Sequence, residues 1–312
     1  MTTTLTALDR IAVVTRKTRL AELVERFNSR AQAKFWIEHA GGDFADYVRE
    51  DDAYRRALEV LQRTLSFGLR LQFFDRSYLP TFQFCGKEVV VALGQDGMVA
   101  NTAKYAGGQP IVGVNPEPSR FDGILLPFHA DAARGAVERA AEGSALLKRV
   151  TLAEAALQDG QRLLAFNDFY VGMRTHVSSR YLLRHGDREE FQSSSGLIVS
   201  TGAGSTGWIS SVFAMAAGVT RFGGGTPGRP VRLGWEDPRL LFAVREPFMS
   251  RHSGASLVAG EIKPGGELVV ESRMPGGALI FSDGVEADFL EFPAGATVRI
   301  RSADRSARLV AA

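Results

Sequence analysis

Apolar and polar positions alternate along the first half of the chain with two different periods. Ile11 to Val14 is a short apolar run of the kind that forms a buried strand. Thr18 then caps a segment in which Leu20, Leu23, Val24, Phe27 and Ala31 recur at helical spacing. A second helical pattern runs through Tyr54, Leu58, Leu61 and Leu65, with Asp51 and Asp52 placed to favour its N-terminus. Leu71 to Phe74, Val89 to Leu93 and Ile111 to Val114 follow as apolar runs bounded by Gly, Pro or Asp. The Ala-rich, charged stretch from His129 to Leu147 predicts a closing helix. Strands and helices in alternation predict a parallel sheet.

Beyond about Val150 the texture changes to short strand-like runs separated by turn residues. They are Leu163 to Phe166, Phe169 to Val171, Gly196 to Val199, Leu240 to Val244 and Glu267 to Val270. Gly223 to Gly228, Pro264 to Gly266 and Pro275 to Gly277 predict loops or hairpin turns. The expected fold class is therefore an α/β N-terminal domain with a parallel sheet, over residues 1–150, plus a β-rich C-terminal domain over 151–290. The tail, 291–312, carries Val298 and Ile300 and then Arg301, Arg305 and Arg308. It predicts a final strand that ends in solvent or returns to the N-terminal domain.

Bulk properties narrow the function. The chain has 312 residues, 45% of them hydrophobic, which is enough for two cores, since one core rarely grows past ~250–300 residues. A formal net charge of only +2, with basic and acidic residues interleaved, leaves no electrostatic footprint for nucleic acid. Cys85 is the only cysteine, which excludes disulfides within the chain and cysteine-based metal sites. The five histidines show no metal-ligand spacing, so no metal site is expected. Met1 to Leu5 carries no leader-like pattern, and no window reaches the ~20 apolar residues of a membrane span. A soluble, cytoplasmic protein is expected.

Three clusters carry chemistry. Val89 to Leu93 stops at Gly94-Gln95-Asp96-Gly97, which delivers one carboxylate between two glycines where a helix can begin. A plain strand-to-helix turn and an anion-binding loop both fit that pattern. Ser200 to Trp208 places glycines and hydroxyls directly after another apolar run, ahead of a helical segment from Ile209 to Ala217. It reads as a helix cap or as a nucleotide-binding surface. Asn167-Asp168 lies between two apolar runs and is compatible with a tight turn. No Walker-type G-x-x-x-x-G-K-[ST] occurs, and no G-x-G-x-x-G follows the first strand.

In order, these clusters resemble the NAD kinase family. That pattern is G-G-D-G-[TS], then a G-[IV]-N strand with a downstream Gly/Leu element, then N-E or N-D, then T-x-T-G-S-T-[AG]-Y. Here it runs Gly94 to Met98, Gly113-Val114-Asn115 with Gly123 to Leu126, Asn167-Asp168, and Thr201 to Trp208. Phe281-Ser282-Asp283-Gly284 weakly echoes a late Asp-Gly element. The resemblance implies two domains with the active site in a cleft, and a homo-oligomer, dimer or tetramer. It implies transfer of phosphate from ATP, carried with Mg2+, to the 2′-hydroxyl of the adenosine ribose of NAD.

By the same resemblance Asp96 is catalytic, beside that hydroxyl, and the loop with Gly94 and Gly97 holds the ATP phosphates. Asn167 and Asp168 bind the dinucleotide, and Thr201, Ser205 and Thr206 line its adenine and ribose pockets. Asn101, Asn115, Gly204 and Trp208 complete the implied nucleotide-binding set. The chemistry is self-consistent, because phosphoryl transfer needs alignment and charge neutralisation more than covalent help. The chain departs from the family at Gln95, Met98 and Trp208, where the family has Gly, Thr or Ser, and Tyr. A glutamine forced to positive φ costs about 1 kcal/mol or more, so the departure predicts a different loop path. A lipid or sugar kinase of the same superfamily and a non-catalytic nucleotide sensor are the alternative readings.

Overall fold

The computed structural model describes residues 8–229 and 231–312. The Met1 to Leu5 segment, read above for a leader, lies outside the described residues. The chain divides into two compact units, one running through Lys148 and taking in Arg308–Ala312, the other Arg149–Ala307.

Unit 1 comprises β1 (Arg10–Thr15), α1 (Arg19–Phe27), α2 (Arg30–His39), α3 (Phe44–Thr64), β2 (Arg70–Asp75), β3 (Glu88–Leu93), α4 (Asp96–Tyr105), β4 (Pro110–Val114) and α5 (Ala133–Ala141). The strands run parallel in the order β2-β1-β3-β4, with Ile11 opposite both Leu71 and Val89, and Val91 opposite Val112. Every residue of β3 is buried, as a central parallel strand requires. Ile11, Val13, Val89, Val91 and Val112 share one core with Tyr54, Ala57 and Leu61 of α3 and with Ala133, Ala136 and Val137 of α5. On the other side α4 packs against β3 and β4.

Three expected boundaries differ. Ala31 belongs to α2, because Asn28 turns left-handed (φ 55°) and Ser29 caps a new helix by accepting the Gln32 N–H. α3 starts at Phe44 behind the cap Asp43, which leaves Asp51 and Asp52 in mid-helix. Asp51 is buried there, accepting the Thr18 hydroxyl at 2.5 Å and pairing with Arg55. The stretch from His129 to Leu147 is helical only over Ala133–Ala141, since Gly143 adopts φ 72° and Leu147 already opens the next strand.

Unit 2 is built from β5 (Leu147–Leu157), β6 (Arg162–Ala165), β7 (Asp168–Met173), β8 (Ser179–His185), β9 (Arg188–Ser194), β10 (Leu197–Ser200), α6 (Trp208–Phe222), β11 (Leu240–Val244), β12 (Ala259–Ile262), β13 (Leu268–Ser272), β14 (Ala278–Ser282), β15 (Phe289–Glu291) and β16 (Thr297–Val310). One antiparallel sheet has the order β12-β11-β10-β7-β14-β15. In the other, β16, β13, β8 and β9 are successive neighbours, and β5 pairs with β6 and β16. Leu197, Val199 and Phe242 of the first sheet share a core with Tyr181, Leu183, Val270 and Ile300 of the second. Ile198 and Leu241, one residue out of phase, pack instead with Ile209 of α6. The tail does not end in solvent. Arg308 and Leu309 pair with β4, and Leu309 and Val310 are buried in unit 1.

Candidate functional site

In unit 1, β1 is flanked by β2 on one side and β3 on the other, so connections depart in opposite directions from the carboxyl ends of β1 and β3. Ligands of open α/β sheets bind at such a reversal. Asp96 stands there as the first residue of α4, where the helix dipole favours an anion. Its carboxylate is partly exposed, and Oδ1 accepts the Leu125 backbone N–H at 2.7 Å.

Leu125 reaches Asp96 because the chain after β4 folds back tightly. A Cβ on Gly113 would meet the Leu125 carbonyl oxygen at 2.1 Å, so only glycine fits. Asn115 holds the same fold-back, donating from Nδ2 to the Phe121 carbonyl at 2.8 Å and accepting the Glu117 N–H at 2.9 Å. Its amide is thus engaged within its own loop, an Asx turn. Asn101 is buried in α4, and its Oδ1 finds no hydrogen-bond partner.

The loop itself corrects one expectation. Gln95 adopts φ −109° and ψ 172°, extended backbone open to any residue, so the replacement of glycine carries no left-handed strain. Met98 is 4% exposed and packs against Gly94, filling core space where the family pattern has a hydroxyl. Gly97 is exposed with open space around it. Sequence reasoning missed Tyr54, whose hydroxyl accepts the Arg16 backbone N–H at 2.8 Å and lies 3.5 Å from the Leu93 carbonyl. It joins the exits of β1 and β3. Burial pushes its phenol up to about 12.

In unit 2, Asn167 and Asp168 form the joint between β6 and β7, and this joint is tied from three sides. Thr201 donates its hydroxyl to the Phe166 carbonyl at 2.6 Å, and the Thr201 N–H reaches the Asn167 carbonyl at 2.8 Å. Gly204 lies so close that a Cβ would sit 2.2 Å from the Asn167 carbonyl oxygen. From the end of β14 the Asp283 carboxylate accepts the N–H groups of Phe166 at 3.0 Å and Asn167 at 2.6 Å, with a longer contact of 3.4 Å to that of Asp168. Asp168 is 8% exposed, and burial together with the Asp283 charge pushes its carboxyl up to about 7.

The Thr201 to Trp208 cluster separates into two kinds of residue. Ser205 is buried, donating to the Gly202 carbonyl and accepting the Leu233 N–H, so its hydroxyl holds the loop. Thr206 is exposed. Trp208 stacks on Tyr170 with ring centroids 5.8 Å apart, and the Arg245 guanidinium lies 5.4 Å from its ring. Tyr170, Trp208 and Phe281 form the apolar side of a pocket of about 350 Å³, which Arg174, Arg245 and Glu286 also line. Tyr170 and Arg245 carry no motif signal, and the pairing of β10 with β7 and with β11 brings them to the cluster. Among the described residues no group of three His, Cys, Asp or Glu gathers to hold a metal ion.

An α/β unit with a parallel sheet, joined in sequence to an antiparallel β-rich unit, is the architecture of the NAD kinases. Yeast NADH kinase, solved with NADH, superposes with a TM-score of 0.58 at 13% identity, covering 98% of this chain and 84% of that one. An Archaeoglobus fulgidus NAD kinase, solved with ATP, gives 0.55 at 17% identity, covering 97% and 93%. In sequence, the NAD kinase of Chlorobium limicola is 29% identical over 136 residues, which span 42% of this chain and 45% of that protein. The match thus reaches less than half the length of this curated relative. No known family profile matches the chain. The resemblance to the NAD kinase family seen in the motifs is therefore shown in fold and in a partial sequence match.

Proposed function

We propose that this protein is an ATP-dependent phosphotransferase of the NAD kinase type that phosphorylates the 2′-hydroxyl of the adenosine ribose of NAD to give NADP. The observation that carries this reading is Asp96: a partly exposed carboxylate at a helix N-terminus, at the reversal of the sheet, oriented by the Leu125 N–H. A carboxylate so held can align an acceptor hydroxyl and take its proton as the phosphoryl group moves. Magnesium would arrive on the triphosphate and neutralise its charge. The backbone around Gly94 and Gly97 would cradle phosphate oxygens, and Asn167, Asp168 and Thr206 would face the dinucleotide.

The relatives support the choice of substrates, being an NAD kinase, an NADH kinase solved with NADH and an NAD kinase solved with ATP. We also propose a homo-oligomer that covers α6. That helix is rich in apolar residues, yet Ile209 alone is buried and Met215, Val219 and Phe222 are exposed. Among the described residues no helix is long and apolar enough to cross a membrane. A cytoplasmic location is proposed with the substrates.

The test is direct. Purified protein with ATP, magnesium and NAD should form NADP, read through an NADP-specific dehydrogenase. ATP consumption with a different alcohol and none with NAD would move the reading to a lipid or sugar kinase. Met98 favours a second reading, a nucleotide sensor, because it puts a thioether where a phosphate-binding hydroxyl is expected. Thermal stabilisation by NAD or ATP without any product would support it.

A further inference from the structure

The carboxylate of Asp283 does something unusual for a turn residue. It sits in left-handed backbone, φ 54°, which disfavours any residue with a Cβ, and it spends its oxygens on consecutive backbone N–H groups of another segment. Its own N–H donates to the Asp168 carbonyl at 3.0 Å, so the β14 exit and the Asn167–Asp168 joint grip each other in both directions. We propose that Asp283 is a positioning residue for the dinucleotide side of the site. Its carboxylate fixes the Asn167–Asp168 joint through backbone N–H groups and so presents the Asp168 carboxyl group to a ligand bearing ribose-type hydroxyls. The proposal rests on the reading above for the identity of the ligand, and on this geometry for the role of Asp283.

Two observations beyond the bonds themselves support it. Asp168 is more than nine-tenths buried, and among the described residues no donor is hydrogen-bonded to its carboxyl group, a state that suits a group awaiting one from a ligand. Polar groups stand beside it: Ser200 opposite it on β10, and Thr201 in the loop that follows. Asp283, from the end of β14, is the charged group that faces it, and its negative charge adds to burial in favouring the protonated form of Asp168. Removing that charge must therefore lower the pH at which Asp168 ionises.

The experiment compares wild type with Asp283→Asn, using NAD as the probe, by calorimetric binding from pH 5 to 9 and by steady-state kinetics. We expect the variant to bind NAD about tenfold more weakly, to show a raised KM with kcat changed less than about threefold, and to shift the pH midpoint of binding below that of wild type. A folded variant with wild-type affinity and an unmoved midpoint would overturn the proposal, since a merely structural role lowers Tm and leaves both alone. Should Asp283→Asn fail to fold, carboxyl NMR of the wild type decides, with Asp168→Asn for assignment. A midpoint near 7 for Asp168 supports the arrangement, and an ordinary value near 4 overturns it. If wild type does not bind NAD, the functional reading falls separately. The proposal is then judged by whether Asp283→Asn lowers the Asp168 midpoint and speeds amide exchange at Phe166 and Asn167, and unchanged values overturn it.

Discussion

The Asp96 carboxylate and the Leu125 backbone N–H, 29 positions apart in sequence, meet at 2.7 Å. One carboxylate oxygen is thereby fixed, while the residue remains partly open to solvent. Asp96→Asn keeps an oxygen that can accept this bond and loses the charge. We expect turnover to fall by about 10²- to 10⁴-fold with Tm nearly unchanged. Steady-state NADP formation and a thermal melt check both parts.

Thr201 satisfies two backbone groups at once, donating to the Phe166 carbonyl and accepting the Gly204 N–H at 3.2 Å. Thr201→Val should leave both unpaired in a buried place and cost about 1–3 kcal/mol in urea denaturation. Thr201→Ser should recover most of it.

Asp168 gives stability a definite pH dependence. Its folded-state pKa lies above the unfolded value, so folding binds a proton, and stability falls as pH rises from about 4 through about 7. Asp168→Asn removes the buried ionisation. The variant should be more stable than wild type by about 1–3 kcal/mol at pH 8, with the advantage fading towards pH 4. Denaturation midpoints across that range test it.

Val219 and Phe222 are 64% and 95% exposed on α6. If α6 is covered by another copy, Val219→Glu with Phe222→Glu should lower the mass measured by light scattering to that of one chain, without changing the circular dichroism spectrum. An unchanged mass would remove α6 from any interface.

Gln95→Gly tests the loop. Because Gln95 already occupies extended backbone, glycine there relieves nothing and only frees the unfolded chain. We expect stability to stay level or drop by up to about 1 kcal/mol, measured by chemical denaturation.

Much of this was legible in the residues, and the rest was not for identifiable reasons. β1, β3 and β4 stand out because a strand buried on both faces must be continuously apolar, and Ile11 to Val14, Val89 to Leu93 and Ile111 to Val114 are. β9 turns the polar Gln192 and Ser194 inward, and β8 carries Arg180, Arg184 and His185, so the apolar alternation is interrupted and they were not foreseen. The break between α1 and α2 rests on one left-handed asparagine, which composition does not announce. Motif order singles out Asp96, Asn167 and Thr201 as candidates, since each sits at a glycine- or turn-marked strand exit. Tyr54 and Leu125 act through hydrogen bonds to distant segments, and nothing local in the sequence encodes such a partner; Asp283 showed only as a weak Asp-Gly echo, without its partners.

The stacking of Trp208 on Tyr170, under the Arg245 guanidinium, also gives the molecule an optical handle. Trp208 is one of three tryptophans and lines the aromatic pocket, so any solute that enters there displaces water from an indole and alters the field that the guanidinium exerts on it. Its emission should respond to occupancy with no label attached. With Trp36 and Trp235 replaced by Phe, titration in a simple fluorimeter would report binding through Trp208 alone, whether or not turnover follows.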